Sequence, residues 1–382
     1  MIDIEFTTET LVRLVRTNSV NPAMQAGAPG EAEIAAYVAD VMQGLGLEVR
    51  RHEPVPDRVS VVGVLRGTDG GRSLMLNAHH DTVGVEGMVG DPFGAAIRDG
   101  RLYGRGAYDM KGSLAACLAA ARALAAGPAL SGDVLVAAVA DEEDASLGTR
   151  DAIEHYAVDG AIVTEPTGLR VCLAHKGFVW IDVTVHGRAA HGSRPDLGID
   201  ANMLAGRFMA RLDALARDLA ERPLHPLLGV ASLHVAQVQG GSGPSTYAER
   251  CRLRIERRTL PGETEEGVLA ELHAVLQAAR REEPRLEATL ESALARAPFE
   301  ADPEGDVVRA TIEATEAVLG APPALVGEMP WMDSALLATA GVDTVVIGPA
   351  GSGAHGAEEW VELDSVYRLA EILVRAARRY CA

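Results

Sequence analysis

Short apolar runs alternate with helical patterns along the first part of the chain, and this alternation constrains the fold most. Residues 74–78 and 133–139 are apolar runs of strand length, and residues 113–126 between them have helical apolar spacing. Strands that alternate with helices predict an α/β sheet covered on both faces. Because ligands bind at the carboxyl ends of the strands in such sheets, the polar residues that follow these runs are the first candidates for a site.

The pattern changes near residue 176. Strand-like and helical stretches then follow in the order β-α-β-β-α-β, at residues 179–185, 201–221, 232–238, 251–257, 265–281 and 286–290. This order is typical of a ferredoxin-like α+β domain. From about residue 295 the first pattern returns. We therefore expect two domains: a discontinuous catalytic domain at residues 1–175 and 295–382, and an inserted domain at 176–294.

Bulk properties exclude several classes of partner. The 382 residues carry a formal net charge of -19, which argues against nucleic acid because phosphate binding needs a basic surface. The four cysteines have neither metal-type nor disulfide-type spacing, so we expect them to be reduced. The amino terminus lacks a signal-peptide pattern, and the Ala-rich run 113–130 reads as a core helix. The prediction is a cytoplasmic enzyme with no membrane partner.

Five short stretches carry imidazole and carboxylate side chains after apolar runs or within glycine-rich turns. They contain His79-x-Asp81, Asp109, the pair Glu142-Glu143, Glu165 and His355. Each stretch alone is a weak signal. Together they predict two imidazoles and three carboxylates as metal ligands, with one carboxylate left as a base. Asp81, two residues after His79, suits the carboxylate that orients a ligating imidazole.

Other interpretations of these stretches are open. His80 could be the ligand in place of His79, although the spacing to Asp81 favours His79. Residues 104–112 look superficially like a phosphate loop, but the order is Lys-Gly-Ser and not Gly-Lys-Ser, so the nucleotide interpretation fails. The acidic run 141–144 would be read as a solvated turn if it stood alone.

In this order and spacing the chain resembles the metallopeptidase and deacylase family of acetylornithine deacetylase, succinyl-diaminopimelate desuccinylase and glutamate carboxypeptidase. The resemblance covers nearly the whole chain. The matching motifs are Ala78-His79-His80-Asp81, Gly104-Arg-Gly-Ala-Tyr-Asp109-Met-Lys-Gly112, Asp141-Glu142-Glu143, Glu165-Pro-Thr, and Ala354-His355 with the later Glu359-Trp360.

The resemblance implies a dinuclear metal site on a zinc-peptidase-like α/β sandwich domain. The ligands would be His79, Asp109 and Glu165 for one metal, and Asp109, Glu143 and His355 for the other. Glu142 would be the catalytic base. With no thiolate in the set, Zn²⁺, Co²⁺ and Mn²⁺ all remain open, and Zn²⁺ is the family's metal.

For the inserted domain, the resemblance implies a lid that also forms a homodimer. His191 matches a histidine that reaches the active site of the partner subunit. Arg258 matches an arginine that is expected to hold a substrate carboxylate. Ser245 stands where the family has Asn, and Glu256 where it has Asp, so the expected substrate contacts depart from the family here.

These implications lead to one preferred function and two alternatives. The preferred function is metal-dependent hydrolysis of the amide bond in a small N-acyl amino acid. The first alternative is an exopeptidase, either a carboxypeptidase or a dipeptidase, that uses the same site on short peptides. The second is a catalytically silent binding protein, which the complete set of ligands and base disfavours. Purely structural metals are also disfavoured, because structural sites are usually closed by four protein ligands.

Overall fold

The computed structural model describes residues 2–68 and 70–382. Its helices are α1 (Ile4–Arg16), α2 (Ala32–Gly44), α3 (Gly112–Ala125), α4 (Leu147–His155), α5 (Ala201–Glu221), α6 (Glu265–Glu282), α7 (Asp306–Leu319), α8 (Ser334–Thr339) and α9 (Leu363–Tyr380). A distorted helical turn, Ala107–Lys111, precedes α3. Its strands are β1 (Glu48–Val55), β2 (Arg58–Leu65), β3 (Leu74–His79), β4 (Ala96–Arg98), β5 (Arg101–Tyr103), β6 (Val134–Val139), β7 (Gly160–Val163), β8 (Val171–His175), β9 (Gly177–His186), β10 (Ser232–Gly240), β11 (Arg250–Thr259), β12 (Glu287–Arg296), β13 (Phe299–Glu300), β14 (Leu325–Glu328), β15 (Asp343–Val346), β16 (Gly351–Ser352) and β17 (Trp360–Glu362).

The described residues form two compact units. The first unit contains the residues up to Leu173 together with Ala301–Val326 and Met332–Ala382. The second unit contains Ala174–Glu300 and Gly327–Trp331. Within the described ranges, no helix has an apolar stretch long enough to cross a bilayer. All four cysteines are buried and free of disulfides.

The first unit is built on a mixed sheet in the order β1-β2-β6-β3-β7-β15-β8. The four strands β6, β3, β7 and β15 are parallel to one another, and the outer pairs are antiparallel. Every residue of β3, β6 and β7 is buried, as expected for parallel strands that are covered on both faces. The predicted α/β class is therefore confirmed.

The register of the parallel strands brings their carboxyl ends together. His79 at the end of β3 pairs with Val139 at the end of β6, and Asn77 pairs with Val163 at the end of β7. The acidic turn after β6 and Glu165 after β7 therefore start at the same edge of the sheet as His79. This edge is where the sequence predicts a site.

The second unit is a four-stranded antiparallel sheet in the order β10-β11-β9-β12. With α5 and α6 it has the ferredoxin-like β-α-β-β-α-β order that the sequence predicts. Leu204, Phe208 and Leu212 of α5 and Leu272 of α6 belong to one buried cluster with Ile181 of β9. The apolar stripes of these helices form because residues three or four apart share a helix face.

The distorted turn and the small strands of the first unit were not predicted from the sequence. The short strands β16, β17, β5 and β4 form a separate small sheet. The turn before α3 contains a cis peptide bond between Asp109 and Met110. Residues 101–112 therefore reach the site through irregular backbone.

Candidate metal centre

His79 is the centre of the first group of candidate ligands. The imidazole is 1% exposed, and its Nε2 lies 3.2 Å from Asp109 Oδ1 and 3.6 Å from Glu165 Oε1. The other ring nitrogen, Nδ1, lies 3.1 Å from the Asp81 carbonyl oxygen and 3.5 Å from Asp81 Oδ1. Asp81 thus contacts the ring nitrogen that points away from the other carboxylates.

His355 is the centre of the second group. Its Nε2 lies 3.0 Å from Glu143 Oε2 and 3.4 Å from Asp109 Oδ2. His355 has a left-handed backbone conformation with φ of 58°. Gly353 beside it has φ of 88°, and a Cβ there would collide with the Glu358 carbonyl oxygen. Glycine is therefore required at this position of the stretch around His355, because a side chain would not fit.

Asp109 is shared by the two groups. Its Oδ1 faces His79 and its Oδ2 faces His355. A carboxylate placed in this way can bridge two cations, one on each oxygen. The two groups together contain the five ligands expected from the sequence.

The spacing within each group fits a small divalent cation. Two ligand atoms bound to a tetrahedral zinc ion at about 2.0–2.1 Å lie about 3.3 Å apart. The distances from the two imidazoles to their carboxylates run from 3.0 to 3.6 Å. Two sets of residues with ligand atoms within 4.8 Å of one another share His79, one with Asp109 and Glu143 and the other with Glu142 and Glu165, so Glu142 also lies close to the candidate ligands. The residues present therefore fit two metal ions.

Burial and mutual repulsion shift the pKa values of the carboxyl groups. Burial raises the pKa of Glu165 to about 8, with further increases from the charges of Asp109 and Glu143. Burial also raises the pKa values of Glu142 and Glu143. In Asp109, hydrogen bonds from His355 and His79 outweigh burial and lower the pKa. A bound cation would stabilise this tightly packed group of carboxylates.

The pKa values of the two imidazoles are also raised, in this case by the neighbouring carboxylates. Hydrogen bonds to Asp109 and Glu143 raise the pKa of His355 to about 10. Burial alone would lower the pKa of His79, but hydrogen bonds to Asp109 and Asp81 and the charge of Glu165 raise it. The carboxylates therefore favour positive charge at both imidazole positions, as they would favour a bound cation.

His80, the alternative ligand, lies apart from both groups. Its Nε2 contacts the Val59 carbonyl oxygen at 2.9 Å, and burial lowers its pKa to about 4. His80 is thus a neutral core histidine. The choice of His79 over His80 agrees with this geometry.

Asp81 organises the turn that carries Glu142 and Glu143. The main-chain N–H groups of Glu142 and Glu143 donate to its two carboxylate oxygens at 3.1 and 3.3 Å. Asn21 donates a further hydrogen bond to Asp81 Oδ2 at 2.9 Å. Asp81 is fully buried, so these bonds fix His79 and the acidic turn relative to each other.

Glu359, for which the sequence predicts no role, contacts the turn that carries Asp109. Its carboxylate is 1% exposed and accepts N–H bonds from Gly106, Tyr108 and Asp109 at 2.9 to 3.0 Å. Arg105 donates to the same carboxylate at 2.7 Å. Glu359 therefore holds the irregular backbone that presents Asp109. The signal for this role in the sequence is an acidic residue shortly after the candidate ligand His355.

The remaining predicted site residues belong to the second unit. His191 is exposed, and its Nδ1 lies 2.8 Å from the Ser193 hydroxyl. Ser245 is also exposed, and its carbonyl oxygen accepts a bond from Gly192 N, next to His191. Arg258 lies on β11, where its guanidinium pairs with Glu256 at 2.9 Å. The roles of these three residues stay predictions.

Comparisons with known proteins agree with this fold and identify the family. Residues 75–379 match the model of "Peptidase family M20/M25/M40". An acetylornithine deacetylase from Myxococcus xanthus is 31% identical over 361 residues, which are 90% of this chain and 91% of that protein.

Solved structures show the same fold at low identity. Aminopeptidase PepT from Bacillus cereus superposes with a TM-score of 0.82 at 20% identity, over 100% of both chains. An M20 family metallo-carboxypeptidase from Sulfolobus solfataricus gives 0.79 at 20% identity, over 98% of this chain and 99% of that one. Human carnosine dipeptidase 1 gives 0.73 at 16% identity, over 98% and 96%. The extent of the family match and the identity to the deacetylase show that the chain belongs to the metallohydrolases of peptidase family M20/M25/M40.

Proposed function

We propose that this protein hydrolyses the amide bond of a small N-acyl amino acid at a centre of two divalent metal ions. The observation that carries the proposal is Asp109, whose two oxygens face two imidazoles that each have a further carboxylate. His79 with Glu165 would bind one ion, and His355 with Glu143 the other. Zn²⁺ suits the nitrogen and oxygen donors, as do Co²⁺ and Mn²⁺.

The proposed division of labour leaves Glu142 for proton transfer. Two bound cations would polarise the amide carbonyl and make an attacking water molecule more acidic. Glu142 takes a proton from this water as the water oxygen bonds to the carbonyl carbon. The carbon–nitrogen bond then breaks, and Glu142 returns the proton to the leaving amine. Burial raises the pKa of Glu142, which makes this carboxylate a stronger proton acceptor.

The identity to a curated acetylornithine deacetylase supports an N-acyl amino acid as the substrate. Such a substrate has a free carboxylate, for which an arginine is a suitable partner. We assign this role to Arg258, as the family resemblance implies. Glu256, which now pairs with Arg258, would have to share or yield the guanidinium when substrate binds.

Strand geometry supports contributions from two subunits. Ser245 lies a few residues before Arg250, where β11 begins, and His191 lies beside Ser245, because Gly192 N donates to the Ser245 carbonyl oxygen. Arg258 is eight residues further along this regular strand, which is about 26 Å at ~3.3 Å per residue. One small substrate cannot touch both ends of the strand in one chain. We therefore propose a homodimer through the second unit, in which His191 of the partner subunit helps to stabilise the oxyanion, with Ser245 beside it.

Glu142→Gln tests the reaction chemistry. The substitution keeps the size of the side chain and removes the base, so we expect kcat to fall by about 10²–10⁴-fold with metal content unchanged. Glu154→Gln, an exposed change on α4, is the control and should retain the wild-type rate. A Glu142→Gln protein with a near-normal rate would remove Glu142 from the mechanism.

A substrate panel separates the proposal from its alternatives. An exopeptidase would hydrolyse dipeptides or tripeptides faster than N-acetyl amino acids, with the same dependence on Glu142. Peptidases share this fold, so the peptide arm is the main competitor. A silent binding protein would load metal and release no product from either class. The panel is run with Zn²⁺, Co²⁺ and Mn²⁺ in turn, so that a wrong metal is not mistaken for a wrong substrate.

A further inference from the structure

A second group of imidazole and carboxylate side chains lies in the first unit, apart from the residues of the metal centre. His52 is on β1, and Asp151 and His155 are four residues apart on α4, which places them on one helix face. Asp151 Oδ2 lies 2.9 Å from His52 Nδ1 and 3.5 Å from His155 Nδ1. One ligand atom from each of the three residues lies within 4.8 Å of the other two.

We propose that His52, Asp151 and His155 form a third divalent-cation site, which binds Zn²⁺ or a similar transition metal. The two distances from the carboxylate lie on either side of the ~3.3 Å expected between ligands of a tetrahedral zinc ion. Two imidazole nitrogens and one carboxylate oxygen favour zinc over Mg²⁺ or Ca²⁺, which prefer oxygen ligands alone. The site is distinct from the centre that Asp109 bridges.

Tyr156 and Asp151 give this group features that a cation would use. The Tyr156 hydroxyl lies 2.9 Å from His52 Nε2, so the ring is fixed by the nitrogen that does not face the site. Asp151 Oδ2 is shielded from solvent, and among the described residues no donor meets it with good hydrogen-bond geometry, although His52 Nδ1 is close. A shielded carboxylate oxygen without a well-placed donor is stabilised by a cation.

The position of His155 at the end of α4 also favours a bound cation. His155 is the last residue of the helix, where the unsatisfied carbonyl groups carry a partial negative charge. His155 Nδ1 lies 2.8 Å from the Asp151 carbonyl oxygen, and a cation bound to this nitrogen takes the place of that contact. The His52 and Asp151 side chains are 11% and 15% exposed, whereas His155 is 52% exposed, so solvent can supply a fourth ligand.

The cation would join β1 to α4. Helix α4 begins at Leu147, four residues after Glu143 in the acidic turn. A bound cation would therefore stabilise α4, the helix that follows the acidic turn, and would take no part in the reaction. We expect three protein ligands at this site, with water at its open side.

Counting bound zinc tests the proposal. Wild-type protein, His52→Ala, His155→Gln and the exposed surface control His273→Gln are dialysed against Zn²⁺ near neutral pH, and metal per chain is measured by mass spectrometry. We expect one zinc ion per chain fewer in both site variants than in the wild type and no loss in His273→Gln. Zinc should also raise the melting temperature of the wild type more than that of either variant, with turnover unchanged.

The comparison between variants makes the result independent of how many ions the Asp109 centre holds. Equal zinc counts in the wild type and in both site variants would overturn the proposal. An equal loss in His273→Gln would also overturn it, because surface histidines would then explain the difference. Circular dichroism establishes that each variant is folded, and His155→Gln, at a half-exposed position, keeps the test valid if His52→Ala does not fold.

Discussion

Glu359→Gln should destabilise both the fold and the metal centre. The Glu359 carboxylate accepts from Arg105 and Gly106 on one oxygen and from Tyr108 and Asp109 on the other. A glutamine has one oxygen and one NH₂ group. Whichever way the amide turns, two donors then face another donor in a site that is 1% exposed.

The magnitude follows from these lost bonds. Each buried donor left without an acceptor costs about 1–3 kcal/mol, so the two together cost about 2–6 kcal/mol. That is a large part of the ~5–15 kcal/mol that typically stabilises a folded protein. Because Asp109 N is one of the donors, the backbone that presents the shared ligand also loosens. Changes of this kind behind a metal ligand lower metal affinity by about 10–100-fold.

Urea unfolding and competition with a zinc chelator measure the two effects. Glu358→Gln is the matched control, since it makes the same chemical change at the neighbouring, exposed residue and should stay within about 0.5 kcal/mol of the wild type. The stability is compared in metal-free protein, and the affinity is then measured separately. If Glu359→Gln unfolds at the same urea concentration as Glu358→Gln and binds zinc equally well, Glu359 does not position Asp109.

Three further predictions concern the centre and the assembly. Removal of metal with a chelator should lower the melting temperature, because Glu143, Glu165 and Asp109 then repel one another; an unchanged melting temperature would contradict a clustered metal site. Asp81→Asn should lower zinc affinity by about 10–100-fold, measured by the same chelator competition, since Asp81 contacts His79 and the turn with Glu143; an affinity equal to that of the wild type would show that Asp81 does not orient these ligands. Finally, Glu142→Gln and His191→Ala chains can be unfolded and refolded together. If each site uses its own Glu142 and His191 of the partner subunit, half of the dimers are mixed and each mixed dimer has one intact site, so about a quarter of wild-type activity should return. No recovery would place both residues in one chain.

The sequence predicted the parts of the molecule that depend on local pattern. Strands β6 and β7 are apolar over their whole length, β3 is mostly apolar, and the helices have clear apolar stripes, so their order could be read directly. The polar residues directly after these strands then marked the edge of the sheet. In the structure, His79, Glu143 and Glu165 lie at that edge.

Long-range contacts could not be read in this way. Glu359 meets Asp109 across 250 residues of chain, and no periodicity links an acidic residue near the end of the chain to a glycine-rich turn. The strands around it have two or three residues, too few to show a strand period. The group of His52, Asp151 and His155 was missed for the same reason, because β1 and α4 are far apart in sequence.

Asp81 and Glu359 show how a centre assembled from distant segments can keep a fixed geometry. Both carboxylates are buried, and both accept main-chain N–H groups of the segments that carry ligands. A side chain that bonds to backbone constrains the whole segment, whereas one that bonds to a ligand side chain constrains a single rotamer. Asp81 fixes the turn with Glu142 and Glu143, and Glu359 fixes the turn with Asp109. The proposed base and the proposed shared ligand are therefore positioned by residues that need not touch a metal, so substitutions there should disturb both metal affinity and turnover even when every ligand is intact.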